Sequence, residues 1–112
     1  MKTAIVILNW NGEKLLEQFL PSIVNFSAKE AVIYVADNAS TDASIAFVKE
    51  FFPAVNIVEN VLNGGYAKGY NNALQSIEAD IYCLINSDVA VTKNWLPPIL
   101  EVFKKEKNTA II

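Results

Sequence analysis

The chain has 112 residues, 53% of them apolar and 19% charged, which suffices for one buried core and is too short for two domains. So apolar a composition excludes intrinsic disorder, and nine lysines against twelve acids, net charge −3, leave no basic face for a nucleic-acid binder. There is no histidine and one cysteine, Cys83, which excludes histidine triads and bases, histidine or cysteine zinc sites and an internal disulfide, and fits a reducing compartment.

In chain order, Ala4–Leu8 is a short β-branched run, read as a strand buried on both faces. Glu13–Phe26 carries apolar residues at helical spacing (Leu15, Leu16, Phe19, Leu20, Ile23, Val24), with a kink or break expected at Pro21. Ala31–Ala36 is a second strand. Ala43–Phe52 is a second helix with Ile45, Phe47, Val48 and Phe51 inward, ended by Pro53. Val55–Val58, Ala67–Ile77 and Ile81–Ile85 read as strand, helix and strand. A fourth helix is expected from about Trp95 to Lys105, with Asn94 as N-cap and Pro97 and Pro98 in the first turn, where no intrahelical donor is lost. Thr109–Ile112 looks like a fifth strand opening, which suggests the first part of a longer protein and an unpaired edge for a homodimer. Strands alternating with helices predict an α/β fold, an open, mostly parallel, Rossmann-like sheet with helices on both faces. Apolar runs are far below the ~20 residues that span a bilayer, and Met1-Lys2-Thr3 shows no signal-peptide cleavage pattern, so the expected location is cytoplasmic.

In such a sheet, ligands bind beyond the carboxyl ends of the strands, where the strand order reverses. The first four strands run there into polar segments: Asn9-Trp10-Asn11-Gly12, then Asp37-Asn38-Ala39-Ser40-Thr41-Asp42, then Asn60 to Gly65, then Asn86-Ser87-Asp88. Ordinary turn and capping chemistry accounts for Ser40, Thr41 and Gly64. It accounts less well for the acids Asp37 and Asp88 at strand ends. Asp88 is a hard oxygen ligand suited to Mg²⁺ or Mn²⁺, which keep several waters and share oxygens with a diphosphate. Asp37 stands where a dinucleotide fold places its ribose acid, but Asn9-Trp10-Asn11-Gly12 is no glycine fingerprint, which argues against a nicotinamide cofactor. A receiver-type site would need acids where Asn9 and Asn11 stand. Gly65, Gly69 and Ala73 share one helix face and permit close approach. Lys68, near that helix start, is either a solvated lysine or a point charge for an anion. Trp10, Tyr66 and Trp95 are core or rim aromatics or stacking surfaces, and Cys83 reads as a buried hydrophobe.

The four segments Ile5-Val6-Ile7-Leu8-Asn9-Trp10-Asn11-Gly12, Val35-Ala36-Asp37-Asn38-Ala39-Ser40-Thr41-Asp42, Asn63-x-Gly65-x-Ala67-x-Gly69-x-Asn71 and Asn86-Ser87-Asp88-Val89 together resemble family 2 glycosyltransferases, in detail the rhamnosyltransferase-like branch of bacterial surface-polysaccharide synthesis. The resemblance implies a GT-A fold, of which residues 1–112 would be the donor-binding half. It implies transfer of a sugar from a nucleoside diphosphate donor to an acceptor hydroxyl, on a glycan or lipid-linked saccharide, with inversion, in the cytoplasm or at the inner face of the membrane. By the same resemblance Asn9 lines the nucleotide pocket, Asp37 contacts the base, and Asn63, Gly65, Lys68 and Gly69 lie beside the nucleotide. Asn86-Ser87-Asp88 matches the family's Asp-x-Asp motif, with Asp88 the Mg²⁺ or Mn²⁺ ligand and Asn86 in place of the first Asp. The general base is expected in an acceptor half, so the chain alone is expected to transfer sugar poorly. The alternative is a non-catalytic nucleotide-binding α/β module.

Overall fold

The computed structural model describes residues 2–60 and 66–105. The elements alternate as expected: β1 (Thr3–Asn9), α1 (Glu13–Ser27), β2 (Val32–Asn38), α2 (Ser44–Phe51), β3 (Asn56–Asn60), α3 (Tyr66–Ser76), β4 (Ile81–Asn86) and α4 (Leu96–Lys105). The four strands are all parallel, in the order β3-β2-β1-β4. After β2 and β3 build outward on one side of β1, the chain returns to place β4 on the other, so the order reverses at β1. The expected strand Thr109–Ile112 lies outside the described residues.

Strand periodicity splits the core in two. Ile5, Ile7, Ile33, Val35, Cys83 and Ile85 face one way, onto Leu16, Leu20 and Ile23 of α1, Val48 of α2 and Leu96 of α4. Ala4, Val6, Leu8 and Ala36 face the other way, onto Tyr70, Ala73 and Ile77 at the α3 layer. Every residue of β1 is buried, as a central parallel strand requires. Gly69 allows α3 to lie close: a methyl there would stand 2.9 Å from Leu8 Cδ1 and 3.1 Å from Asn38 Nδ2. The Tyr70 hydroxyl then donates to the Ile85 carbonyl at 2.9 Å, tying α3 to β4.

Three expectations are corrected. Of the kink or break expected at Pro21, the break does not occur: α1 is continuous from Glu13 to Ser27, its buried stripe Leu16, Leu20, Ile23 and Ser27 spans the proline, and packing outweighs one lost hydrogen bond. Phe51 is not inward but 61% exposed. Helix α2 presents Ser44 and Val48 to the sheet, and Phe51 rests on Phe47 with ring centroids 5.2 Å apart. Asn94 is not the cap of α4, which begins at Leu96; Asn94 turns the chain at φ 60°, a conformation asparagine tolerates. Pro97 and Pro98 do stand in the first turn, and Trp95 packs on the core with its Nε1 donating to Ser27 Oγ at 2.8 Å. No helix among the described residues is long and apolar enough to cross a membrane.

Cys83 is buried as expected, and burial pushes its thiol up to about 11. The native chain should therefore resist alkylation at pH 8 and react within minutes in denaturant; equal rates in the two states would contradict this packing.

Candidate functional site

Register and side-chain alternation bring the polar residues to one rim. Asn9 and Asp37 are paired across β1 and β2, and Leu8 is level with Asn86 of β4. Asp37 and the segment 86–88 thus leave the same rim from strands on either side of β1, about 10 Å apart at the usual strand spacing. Strands β1 and β2 extend further than the apolar pattern predicts, since Asn9, Asp37 and Asn38 complete ladders rather than start loops.

The α1–α2 face of this rim holds a buried polar network. Asn9 is fully buried and Asp37 is 1% exposed. Asn9 Nδ2 donates to Asp37 Oδ1 at 2.9 Å and to Ser40 Oγ at 3.3 Å. The Ser40 hydroxyl donates to Asp37 Oδ1 at 2.7 Å, and the Ser40 N–H donates to Asp37 Oδ2 at 2.9 Å. Ala39, at φ 62°, turns the chain so that Ser40 faces back onto the carboxylate. Asn11, at φ 47°, joins the two segments: its N–H donates to Ser40 Oγ at 2.9 Å, and its Oδ1 accepts from Thr41 N at 2.7 Å and Asp42 N at 3.2 Å.

One acceptor in this network is orphaned. Asn9 Oδ1 is buried and makes no hydrogen bond. It lies over Gly12, where a methyl would stand 2.5 Å from it and 3.6 Å from Ser87 Oγ. Leaving such an acceptor unpaired costs about 1–3 kcal/mol.

Asp42 works at the helix ends. It accepts from Ser44 N at 3.0 Å, from the Ser44 hydroxyl, and from Glu13 N at 3.2 Å, so one carboxylate caps both α1 and α2. Neither cap residue, Gly12 nor Ala43, makes a side-chain cap of its own. Burial pushes the Asp42 carboxyl up, but the Ser44 hydroxyl and amide and the Glu13 amide outweigh it and hold it below its ordinary 3.8. A carboxyl lowered on folding stabilises the fold above its unfolded value and loses that contribution as pH falls through the folded one. Asp42→Asn should cost about 1 kcal/mol at pH 7 and flatten the loss of stability below pH 3.8; an acid limb like the parent's in denaturant titrations would refute this role.

On the α3 face, Asn60 Nδ2 donates to Asn38 Oδ1 at 3.1 Å and to the Gly69 carbonyl at 3.2 Å, fixing the start of α3 against the strand ends. Gly69 is therefore beside the rim. Lys68, in the first turn of α3, is exposed, and so are Asn86 and Asp88. Asn63 and Gly65 lie outside the described residues. Trp10, 57% exposed beside Asn9, is an open aromatic face at the same rim. The sequence assigns Ser40 to turn and capping chemistry and gives no role to Asn11, Gly12 or Asp42. Their signal was the spacing of short polar side chains after two consecutive strands, which reads equally as turn chemistry.

Among the described residues no three His, Cys, Asp or Glu side chains gather to hold a metal ion. The exposed Asp88 carboxylate fits an ion that takes its other ligands from water and a diphosphate, and does not fit a metal caged by protein alone.

Similarity to known proteins agrees with this geometry. The chain is 28% identical, over 101 residues, to poly(ribitol-phosphate) beta-N-acetylglucosaminyltransferase TarS of Staphylococcus aureus, covering 86% of this chain and 18% of TarS. It is 28% identical over 117 residues to the uncharacterized glycosyltransferase YfnE of Bacillus subtilis, covering 99% of this chain and 29% of YfnE. The chain thus spans less than a third of either relative. Its fold matches the crystal structure of S. aureus TarS residues 1–349 in complex with UDP-GlcNAc, with TM-score 0.81 and 23% identity over 96% of this chain and 32% of that one. It also matches a Pyrobaculum calidifontis mannosyltransferase in complex with GDP-Man and Mn²⁺, with TM-score 0.70 and 24% identity over 80% of this chain and 28% of that one. The α/β sheet is therefore of the GT-A type expected. The Glycosyl transferase family 2 model matches residues 4–112, all but the first three positions, and the chain belongs to that family.

Proposed function

We propose that the chain is the donor-binding part of an inverting glycosyltransferase of the rhamnosyltransferase-like branch. It would serve bacterial surface-polysaccharide synthesis in the cytoplasm or at the inner face of the membrane. The observation that carries this reading is the Asn9–Asp37 pair, buried at the strand-order reversal and sharing a rim with Asn86-Ser87-Asp88. TarS, whose structures include complexes with UDP-GlcNAc and UDP, makes uridine diphosphate the first donor nucleotide to test.

The residues divide the work by position. Asp37 would contact the base, with Asn9 in the strand segment that lines the nucleotide pocket and Trp10 beside it. Asn63, Gly65, Lys68 and Gly69 would lie beside the nucleotide, with Lys68, in the first turn of α3, a point charge for a phosphate. Asp88, next to Asn86, would hold Mg²⁺ or Mn²⁺, which when bound would offset negative charge on the departing diphosphate. The acceptor hydroxyl oxygen bonds to the anomeric carbon as the carbon–oxygen bond to the diphosphate breaks. The electron pair leaves with the diphosphate, and the hydroxyl proton goes to a carboxylate base assigned to the acceptor half.

Calorimetric titration tests the reading. The folded chain should bind UDP more tightly with Mn²⁺ than without, and Asp88→Ala should lose the metal-dependent part and keep the rest. A folded sample that binds no nucleoside diphosphate, with or without Mg²⁺ or Mn²⁺, would overturn it.

A further inference from the structure

Asn9 carries a feature that neither packing nor helix capping accounts for. It continues the face of β1 on which Ile5 and Ile7 meet the core, and it is as buried as they are. An apolar residue there would leave no acceptor stranded. The amide cannot turn over to relieve Oδ1, because its N–H must face the Asp37 carboxylate and the opposite orientation would set oxygen against oxygen. The unpaired acceptor is thus the consequence of pointing a donor at Asp37. That donor is neutral, as are the Ser40 amide and hydroxyl, the other groups on Asp37. Among the described residues Asp37 is held in one orientation by neutral donors alone, and Oδ2, which there accepts only from Ser40 N, keeps a lone pair for another donor.

We infer that Asn9 is a positioning residue for the donor site: its amide sets the Asp37 carboxylate to accept from an N–H or O–H of the bound nucleoside, and Asn9 itself need not touch the ligand. This rests on the donor-binding reading above. The arrangement is what a recognition carboxylate requires, since a lysine at this position would neutralise it and an aliphatic residue would let it rotate.

Asn9→Asp tests the inference, because it preserves shape and replaces the neutral donor by a second carboxyl. Two carboxyls this close share a proton, which comes off at a strongly raised pH. With that proton, residue 9 donates to Asp37 as the amide does; without it, the pair repels. UDP affinity is measured by calorimetry for parent and variant at pH 5.5 and pH 8.5 and expressed as their ratio. Ionisation of UDP, and of Glu13, Asp42, Glu59 and Asp88 on the neighbouring elements, is common to both proteins and drops out of the ratio. The variant should be within about threefold of the parent at pH 5.5 and at least about tenfold weaker at pH 8.5. Asn9→Ser, too short to reach Asp37, should stay folded and be about tenfold weaker at both pH values. Parent-level affinity of either variant at pH 8.5, or equal weakening of Asn9→Asp at both pH values, overturns the inference while leaving the donor reading intact. Absence of UDP binding by the parent overturns the donor reading, and this inference with it.

Discussion

Substituting Gly12 by alanine is expected to lower the thermal midpoint by about 10–20 °C, from a loss of about 2–4 kcal/mol. The backbone there, φ −104° and ψ 34°, is open to alanine, so the effect is one of space. The new methyl would stand 2.5 Å from Asn9 Oδ1. A free asparagine would swing aside at little cost, but this one is fully buried and held through Nδ2 by Asp37 and Ser40. It can retreat only by breaking the hydrogen bond that fixes Asp37, or by lifting the start of α1 from the rim. Either result reaches the Asn11–Thr41–Asp42 contacts, since Asn11 precedes Gly12 directly. A calorimetric scan settles the matter: a midpoint within a few degrees of the parent would mean that the two segments are looser than these distances say.

The second large effect is expected at Asp37. Asp37→Asn should destabilise by about 2–3 kcal/mol and weaken nucleotide binding by at least about tenfold. The reason is in the donor count. Oδ1 accepts from the Asn9 amide and the Ser40 hydroxyl, and Oδ2 accepts from the Ser40 N–H. An asparagine offers one oxygen and one N–H₂ group: with its oxygen toward Asn9 the N–H₂ meets the Ser40 N–H, donor against donor, and with the amide reversed Asn9 has to turn over as well. Asp37→Ala removes an acceptor from all three donors, leaving Asn9 Nδ2 only its longer bond to Ser40 Oγ, and should be worse. Chemical denaturation compared with the parent measures the first effect and UDP titration the second. If Asp37→Asn matches the parent in both, the carboxylate serves neither the fold nor the site.

Elements and network differ in how far the amino-acid order alone reveals them. The Ile5, Ile7 and Val35 runs, the Leu16–Leu20–Ile23 stripe and Pro97–Pro98 after a turn are local patterns, and each produced the expected element because periodicity and proline chemistry act within a few residues. Where local rules failed, packing over a distance outweighed them: the stripe of α1 carried the helix through Pro21, and the seat of Val48 on the sheet turned Phe51 outward. The rim was legible as a set of short polar residues after strands. Its working parts were not. That Asp42 caps α1 as well as its neighbour α2, that Asn11 bridges two segments, and that Asn60 reaches Asn38 and Gly69 all depend on partners 9 to 31 positions apart, brought together only by the fold.

By itself the sequence determined the α/β alternation, the parallel sheet and the family, because each is written in local periodicity and in short motifs at fixed places along the chain. Only the tertiary structure decided which strands adjoin β1, that Asn9 and Asp37 meet in a buried pair, and that Gly12 lies against Asn9 Oδ1 where a methyl would crowd it. Those are facts of distance between segments far apart in the chain, and hydrogen bonds and steric exclusion depend on that distance.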